Sequence, residues 1–378
     1  MKHMLPEHVR AWLTRPLDED ATKLLRMTAV APGVTRVAVM PDAHPAEAVC
    51  NGCVLAVRDR VYPQAVGQDI GCGFATVRLA FEPIYDLPRE QGQEILEGLA
   101  RGVAVIRHGK RTMACSRDIE EIGALSQQSL QAAAMRDGRV QLGTLGRGNH
   151  FLELQRDDEG TMWLMVHSGS RAMGKIVYEH ALRQGMRDGT TLTCLMAGTP
   201  ACDAYLADAA WTLRYATANR RRLLTLAAVE LERFGIGADW TSLIDSPHNM
   251  ISLEEVDGVT QFVHRKGAAR ARDGEAGLIA GSAGTFSVHT MGCGSADGLQ
   301  SCSHGAGRVF SRSEARARVG VKELKRSMQR VVFDEENARR LIEEAPCVYR
   351  DLREVMEAQR DLVRVLRRVT PMVSYKAV

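Results

Sequence analysis

The chain has 378 residues, of which 45% are hydrophobic and 25% charged, and its net charge at pH 7 is only +3. It is long enough to bury a large core. So small a net charge excludes a protein whose whole surface is basic, as in some nucleic-acid-binding proteins. Nine cysteines without framework spacing indicate a reducing compartment. Because no apolar leader follows Met1 and no run could span a membrane, we expect a cytoplasmic protein.

Strand-like and helical stretches alternate irregularly along the chain. A strand is predicted over Val54–Tyr62, and helices are predicted near Glu90–Ala100, Tyr205–Phe234 and Asp351–Arg368. No Pro/Ser-rich linker, low-complexity tract or internal repeat divides these elements. We therefore expect an α+β fold, a single large domain over residues 1–378 in which mixed β layers are flanked by helices.

Residues 68–73 read Gln-Asp-Ile-Gly-Cys-Gly and form a tight glycine-bearing loop after the first strand. Asp69 and Cys72 offer a carboxylate oxygen and a thiolate to the same small volume. With imidazole, such donors favour zinc, manganese, iron or cobalt over calcium or magnesium, and ligand type alone leaves that choice open. Most single Asp-x-x-Cys spacings bind nothing, so further ligands are required.

Two histidines flank a predicted β-hairpin whose polar turn is residues 157–160. If those four residues form the loop, Arg156 opposes Thr161 and His150 directly opposes His167. Directly opposed residues share a face and have Cβ atoms about 5 Å apart. Two imidazoles so placed can bind one metal or one each of a close pair, although a slip of one residue would break the arrangement.

Three further segments carry weaker signals. His248, in Ser-Pro-His-Asn-Met, follows a proline that fixes its backbone and precedes Asn249, which could orient it. Cys50-x-x-Cys53 has the spacing of a redox or zinc pair, but no second pair follows at zinc spacing, so we favour two packed thiols. Basic clusters at 220–222, 265–272 and 308–330 could meet phosphates or form solvated helix faces, and the low aromatic content argues against a stacking platform for bases.

Residues 301–308 read Ser-Cys-Ser-His-Gly-Ala-Gly-Arg, which places the nitrogen nucleophile His304 on a glycine loop able to close around a phosphate. Ser311 and Glu314 have capping-box spacing, so a helix is predicted from Arg312 to Gln329. The free N–H groups of such a helix end, together with the loop, predict an anion site. A simple turn is the alternative interpretation.

Together these segments resemble the RtcB family of RNA ligases over nearly the whole chain. The motifs that carry the resemblance are Met-Pro-Asp-Ala-His at 40–44, Asp-Ile-Gly-Cys-Gly at 69–73, Leu-Gly-Thr-Leu-Gly-Arg-Gly-Asn-His-Phe at 142–151, His-Ser-Gly-Ser-Arg at 167–171, Arg-Lys-Gly-Ala from 265, Gly-Ser-Ala-Gly-Thr from 281, Ser-His-Gly-Ala-Gly-Arg from 303, Glu-Ala-Pro-Cys-Val-Tyr at 344–349 and Lys376.

The resemblance implies a GTP-dependent ligase with two Mn²⁺ ions that joins an RNA 3′-phosphate or 2′,3′-cyclic phosphate to a 5′-hydroxyl through histidine–GMP and RNA-ppG intermediates, in RNA repair or tRNA splicing. The implied metal ligands are Asp69, Cys72 as the bridge, His150, His167 and His248. The implied catalytic residues are the nucleophile His304, Asp42 that positions it, and Arg171 and Arg308 that meet phosphates. The implied guanylate contacts are Asn149, Glu153, Ser282, Ser287, Ala306, Gly307, Tyr349 and Lys376. Which RNA is joined, and whether an activating protein takes part, stay open.

Two departures from the family pattern flank this expected site. Residues 45–53 read Pro-Ala-Glu-Ala-Val-Cys-Asn-Gly-Cys where the family is glycine-rich, and Ala280 stands where a proline usually precedes Gly-Ser. Strict strand alternation also places Glu153 on the face opposite His150, so a guanine contact there requires a bulge or strong twist.

Two rival functions are a binuclear phosphodiesterase that uses no nucleotide and a non-catalytic paralogue that binds RNA ends.

Overall fold

The computed structural model describes residues 5–80, 87–110 and 112–376; residues 1–4, on which the expectation of no leader partly rests, lie outside this part. The strands are β1 Val9–Ala11, β2 Val34–His44, β3 Asn51–Val57, β4 Arg60–Val61, β5 Gly73–Ala80, β6 Phe151–Asp157, β7 Met162–Ser168, β8 Met186–Arg187, β9 Thr193–Met196, β10 Gly237–Pro247, β11 Asn249–Val256, β12 Val259–Lys266, β13 Ala268–Arg270, β14 Ala276–Ile279, β15 Ser287–Gly292, β16 Ser301–Ser303, β17 Val332–Phe333 and β18 Val363–Tyr375. The α-helices are α1 Glu19–Ala29, α2 Arg89–Gly102, α3 Ser116–Glu120, α4 Gln128–Ala133, α5 Arg139–Gln141, α6 Ala172–Gln184, α7 Pro200–Glu232, α8 Arg312–Arg318, α9 Val321–Ser327, α10 Ala338–Leu341 and α11 Leu352–Ala358.

Two sheets make up most of the β structure in these residues. The larger sheet has the strand order β10-β5-β7-β6-β18-β15-β14, with β17 added in parallel to β18. The smaller sheet has the order β1-β2-β3-β12-β11, and β13 and β16 form a separate pair. With helices against these layers, the expected α+β class with mixed β layers is confirmed. The assignment of residues 1–378 to one catalytic domain stays a prediction.

Side-chain alternation gives the larger sheet two different faces. One face presents apolar side chains such as Val77, Leu154 and Leu164, which pack against α2 and α7 in the main core. The opposite face presents Phe74, Phe151 and other residues of a smaller apolar cluster. Because side chains alternate between the two faces, one face of the sheet packs into the main core. The other face is available to the residues of the site described below.

The long helix α7 supports the larger sheet from behind. It begins where Thr199 Oγ1 accepts the N–H of Cys202 at 3.3 Å, with Pro200 in the first turn, where a missing N–H is tolerated. Leu224 and Leu231 on its buried face contact the sheet. The predicted helices at 90–100 and 205–234 correspond to α2 and α7 and are confirmed.

Three predictions of local structure were wrong in extent. The helix expected from 312 to 329 is two helices, α8 and α9, because Val319 and Gly320 are extended at the break, where β-branched and glycine residues disfavour helix. The helix expected at 351–368 ends at Ala358, and the β-branched residues that follow form β18. The strand expected over 54–62 is interrupted between β3 and β4.

The helix boundaries also bear on membrane insertion. Across the part of the chain that is described, no helix combines the length and the apolar character needed to cross a bilayer.

Candidate functional site

Cys72 is the centre of a buried ligand cluster at the ends of several strands. Its Sγ lies 3.3 Å from Nε2 of His167 and 3.6 Å from Nε2 of His150. Among the described residues, the ligand atoms of Cys72, His167 and His248 form one group within 4.8 Å, and those of Asp69, Cys72 and His150 form a second. The structure thus brings together all five sequence-predicted metal ligands, with Cys72 common to both groups.

Backbone carbonyls fix the orientation of two of these imidazoles. Nδ1 of His150 lies 2.9 Å from the carbonyl oxygen of Leu145, and Nδ1 of His167 lies 3.0 Å from that of Asn149. Because a carbonyl oxygen only accepts hydrogen bonds, each Nδ1 carries the proton. Each Nε2 therefore presents a lone pair towards Cys72, the arrangement found in metal-bound histidines.

The hairpin that carries these histidines has a different register from the predicted one. Phe151, not His150, lies opposite His167, and Arg156 opposes Met162 rather than Thr161. The prediction was wrong by one residue because Asp157, counted as a turn residue, belongs to β6. Its Oδ1 accepts the turn N–H groups of Glu159 and Thr161, and its backbone N–H donates to the carbonyl of Thr161.

The two imidazoles nevertheless meet, with ring centroids 5.0 Å apart. His150 precedes β6 and is therefore free of strand alternation. The observed register places His167 on the same face as Phe151 and Glu153. The bulge invoked to bring Glu153 to this face is thus unnecessary.

Asp69 is held in place by the segment after β7. Its Oδ1 accepts the backbone N–H of Ser170 at 2.9 Å, and its Oδ2 lies 3.5 Å from Nε2 of His150. From α7, the fully buried Arg220 donates to the carbonyl oxygens of Gly71 and Ser168 and pairs with Asp245 at 2.5 Å. Arg220 therefore supports the ligand loop and is not placed to contact RNA, which removes it from the suggested basic cluster.

His248 and Asn249 connect the ligand cluster to the loop of His304. The ring of His248 lies 5.2 Å from that of His167 and 4.6 Å from that of His304. Asn249 does not orient His248 but donates to the carbonyl of Asp69 at 3.0 Å and accepts the N–H of Gly267 at 2.8 Å. Nothing in the sequence identified this role.

The electrostatics of the cluster suit a cation. Burial, together with the nearby Asp69 carboxylate, raises the pKa of the Cys72 thiol well above its usual value. Burial also lowers the pKa of His167 and of His248 well below the usual range, which keeps both imidazoles neutral. Nδ1 of His248 is buried without a hydrogen-bond partner among the described residues. A bound cation would deprotonate the thiol and offset these costs, so the donor set fits a metal.

His304 follows β16, and Asp42 holds it from β2. Nδ1 of His304 lies 2.7 Å from Oδ2 of Asp42 and 2.8 Å from the carbonyl oxygen of Gly267. Oδ2 of Asp42 also accepts the backbone N–H of Gly305 at 3.2 Å. Both contacts of His304 use Nδ1, and its Nε2 has no hydrogen-bond partner among the described residues. Burial disfavours the imidazolium, but the Asp42 carboxylate outweighs it and raises the pKa of His304.

Close backbone contact between β2 and the His304 loop requires glycine. Gly307 has φ +72°, and a Cβ there would lie 2.9 Å from Cα of Asp42. Gly52, with φ +76°, likewise packs on Ala43, where a Cβ would lie 2.8 Å from Cα. Left-handed backbone conformations with no room for a side chain are those in which glycine is favoured.

A cavity of about 160 Å³ opens beside His304. Its lining includes His167 and most of the residues expected to contact guanylate. The sequence-predicted residues that line it are Asn149, Ser282, His304, Ala306, Gly307, Arg308, Tyr349 and Lys376. The cavity therefore joins the His304 loop to the edge of the ligand cluster.

Glu344, which sequence reasoning quoted in a motif but gave no role, organises the far end of the cavity. It lies 3.1 Å from Nζ of Lys376 and 3.3 Å from Arg308, and it accepts the hydroxyl of Tyr349. Burial opposes its ionisation, but Lys376 and the other donors hold the pKa of Glu344 below its usual value. With Arg312 also at the wall, the cations exceed this carboxylate, as suits a phosphate ligand.

Three of the residues expected to contact guanylate or phosphates lie outside the cavity lining. Glu153 is buried behind it, accepts the hydroxyl of Ser374 at 2.9 Å, and has its pKa raised by burial to about 7. Ser287 accepts the N–H of Gly281 at 3.1 Å. Arg171 lies beside the ligand cluster instead, with Nη1 3.5 Å from Nδ1 of His150.

The two departures from the family pattern both touch the site. In the first, His44 and Asn51 line the cavity and lie 3.2 Å apart at Nε2 and Nδ2. In the second, the N–H of Ala280 donates to the carbonyl of His304 at 3.2 Å, a bond that proline could not make. Cys50 and Cys53 are buried free thiols, in agreement with the packed pair that was favoured.

Comparison with known proteins agrees with this geometry. The family model described as tRNA-splicing ligase RtcB matches residues 24–377. An RNA-splicing ligase RtcB of Escherichia coli strain K12 is 32% identical, over 96% of this chain and 95% of the relative. An RNA-splicing ligase RtcB of Mycobacterium tuberculosis strain ATCC 25618 / H37Rv is 31% identical, over 91% and 98% respectively. A tRNA-splicing ligase RtcB of Archaeoglobus fulgidus is 30% identical, over 89% and 86%. The chain belongs to the RtcB family.

Proposed function

We propose that the protein joins RNA strands, sealing a 3′-phosphate or 2′,3′-cyclic phosphate end to a 5′-hydroxyl end with GTP and Mn²⁺. The observation that carries the proposal is the state of His304. Its Nδ1 is occupied by Asp42 and Gly267, whereas its Nε2 meets no hydrogen-bond partner in the described part of the chain and lies beside a cavity with a cationic wall. Once its Nε2 is unprotonated, an imidazole held in this way through Nδ1 is a nucleophile for phosphorus.

In the proposed reaction, Nε2 of His304 attacks the α-phosphorus of GTP, an N–P bond forms, and pyrophosphate leaves. Asp42 holds the proton on Nδ1 throughout and stabilises the charge that the ring acquires. An oxygen of the RNA 3′-phosphate then takes the guanylyl group from His304, and the 5′-hydroxyl displaces GMP as the strands join. A cyclic phosphate is first opened by water.

Two Mn²⁺ ions would be held by the two ligand groups that share Cys72, with Asp69 and His150 on one side and His167 and His248 on the other. Such ions offset the charge that builds up on phosphate oxygens during transfer. Lys376, Arg308 and Arg312 supply further positive charge at the opposite wall. Asn149, Glu153, Ser282, Ser287, Ala306, Gly307 and Tyr349 complete the proposed guanylate pocket, and Arg171 is the proposed phosphate contact beside the cluster.

The rival functions use less of this arrangement. A binuclear phosphodiesterase needs the ligand cluster but has no use for a histidine oriented by Asp42. A paralogue that only binds RNA ends needs neither. The retained His304–Asp42 pair therefore favours the ligase.

Intact-mass measurement after incubation with GTP and Mn²⁺ tests the proposal. The wild-type chain should gain the mass of one GMP, and the adduct should be labile to acid and stable to alkali, as a phosphoramidate is. His304→Ala should gain nothing, whereas His180→Ala, in α6 but outside both the ligand groups and the cavity lining, should label normally. Labelling of His304→Ala, or no labelling of the wild type with either Mn²⁺ or other divalent ions, would contradict it.

A further inference from the structure

A second groove lies on the outer side of the larger sheet, between α11 and the pair β15–β18. It encloses about 520 Å³, and its charged lining consists of Arg353, Arg360, Arg364, Arg368 and the single acid Glu357. This surplus of positive charge is local, because the whole chain carries only +3. The groove is therefore one of the places where a weakly basic protein can attract a polyanion.

Most of these guanidinium groups have no carboxylate to neutralise them. Arg360 pairs with Glu357 at 3.0 Å, and both side chains are largely exposed. Arg353, Arg364 and Arg368 form no ion pair within the described residues, and Arg364 contacts only the sulfur of Met291 at 3.5 Å. Exposed arginines lying together without acidic partners repel one another unless an anion is bound between them.

Phe286 orders two of the arginines. The guanidinium carbons of Arg368 and Arg353 lie 5.3 and 5.9 Å from the centroid of its ring. Cation–π contacts of this kind hold the planar groups in place and leave their N–H edges available. Because the ring is occupied by arginine, the groove is suited to phosphates rather than to stacked bases.

The groove adjoins the catalytic cavity through a single turn. Gly281 lines the cavity, and its N–H donates to Oγ of Ser287 at 3.1 Å. Phe286, the residue before Ser287, lines the groove. An RNA strand whose end lies at His304 can therefore continue past this turn towards Arg368.

We propose that this groove binds the phosphodiester backbone of the RNA strand that leads away from the joining site. The inference rests on the proposed ligase function and adds a sequence-independent RNA-binding surface to it. Arg364 and Arg368 contact backbone phosphates, and Arg353 and Phe286 position Arg368. Such contacts set affinity and strand direction without reading base sequence.

RNA binding measured by fluorescence anisotropy, without GTP, tests the groove directly. Two 3′-phosphate RNAs are compared, one of a few nucleotides and one with a long single-stranded extension. Arg364→Gln combined with Arg368→Gln should weaken binding of the long RNA about tenfold at low salt. The salt slope should fall by about 0.7 for each phosphate that the variant no longer neutralises. Binding of the short RNA should hardly change.

Two variants serve as controls. Arg10→Gln with Arg183→Gln removes the same charge from exposed positions outside the groove and should leave binding of the long RNA nearly unchanged. Arg364→Lys with Arg368→Lys keeps the charge and should retain most of the affinity. The proposal is overturned if both glutamine pairs lose affinity equally or if the groove pair loses none. It is also overturned if light scattering shows that the groove variant changes oligomeric state, which would indicate a protein interface.

Labelling with GMP separates this inference from the function on which it rests. If the wild type is guanylylated and the groove variant binds long RNA normally, the groove proposal fails alone. If the wild type binds RNA through the groove without any guanylylation, the groove proposal stands and the ligase mechanism fails. Loss of guanylylation in the groove variant would assign Arg364 and Arg368 to the nucleotide pocket and overturn the groove.

Discussion

Oδ2 of Asp42 lies 2.7 Å from Nδ1 of His304, although 262 positions separate the two residues in the sequence, and the same oxygen accepts the N–H of Gly305. One carboxylate thus fixes both the ring of the nucleophile and the backbone of its loop. Oδ1 of Asp42 is buried without a partner in the described part of the chain. Asp42 is accordingly a positioning residue whose removal should affect the first chemical step.

We predict that Asp42→Asn slows guanylylation of His304 about 100-fold. The amide cannot stabilise the charge that develops on the ring, and it permits the wrong tautomer. The rate of mass gain with GTP and Mn²⁺ measures this effect. The control is Asp257→Asn, because Asp257 is an exposed aspartate that pairs with Arg36. An unchanged rate in Asp42→Asn would show that His304 does not depend on this contact.

The shared position of Cys72 predicts unequal losses of metal. Cys72→Ser should lose both Mn²⁺ ions, because its thiolate belongs to both ligand groups. His248→Ala and His150→Ala should each retain about one ion. Metal content after gel filtration measures this, and Cys194→Ser, a buried thiol outside the cluster, should retain two. Full loss in all three site variants would indicate a single ion.

Adjacent arginines on α7 should differ sharply in their effect on stability. Arg220→Ala removes the fully buried partner of Asp245 and the hydrogen bonds to the carbonyls of Gly71 and Ser168, so it should lower the free energy of unfolding by about 3–5 kcal/mol. Arg221→Ala, one residue along on the exposed side, should change it by no more than about 0.5 kcal/mol. Urea unfolding followed by circular dichroism distinguishes them, and equal effects would contradict the structural role of Arg220.

A second buried pair should make stability depend on pH. Burial opposes ionisation of Glu254, but Arg265 at 2.6 Å outweighs it and holds the pKa of Glu254 below its usual value. The pair therefore stabilises the fold above the unfolded-state pKa of about 4.3, and this contribution is lost as pH falls through the lower folded-state pKa. Glu254→Gln should be about 3–5 kcal/mol less stable at pH 7, with the difference narrowing below about pH 4.

Urea titrations at several pH values measure the effect. Glu357→Gln, which removes an exposed partner of Arg360, is the control and should change stability by no more than about 0.5 kcal/mol at any pH. A constant difference between Glu254→Gln and wild type across the whole range would mean that ionisation of Glu254 does not contribute.

Local chemistry allowed parts of this structure to be predicted. The Ser311–Glu314 capping box occurs as expected, because both bonds join residues three apart. The long helix predicted near 205–234 occurs as α7. The ordered motifs of the family resemblance located every member of the ligand cluster, although no local rule could bring Asp69 and His248 together.

The features that were missed depend on distant partners. The hairpin register changed because a single side chain, Asp157, caps the turn. Residues 351–368 were predicted to form one helix, because the β propensity of 363–368 becomes decisive only when these residues pair with β15. The roles of Asn249 and Glu344 arise from contacts across the fold, which composition and spacing do not contain.

The position of β18 determines how far the protein can fold while it is being synthesised on the ribosome. This strand is the last described element in sequence but an interior strand in space, since it pairs with β6 on one side and β15 on the other. Lys376, immediately after it, reaches the catalytic cavity. Folding from the N-terminus during synthesis can therefore assemble the halves of the larger sheet but cannot unite them. Until β18 has been made, the nascent chain lacks both the strand that unites the larger sheet and the Lys376 side chain that lines the cavity, so sheet and cavity are completed in the same late step.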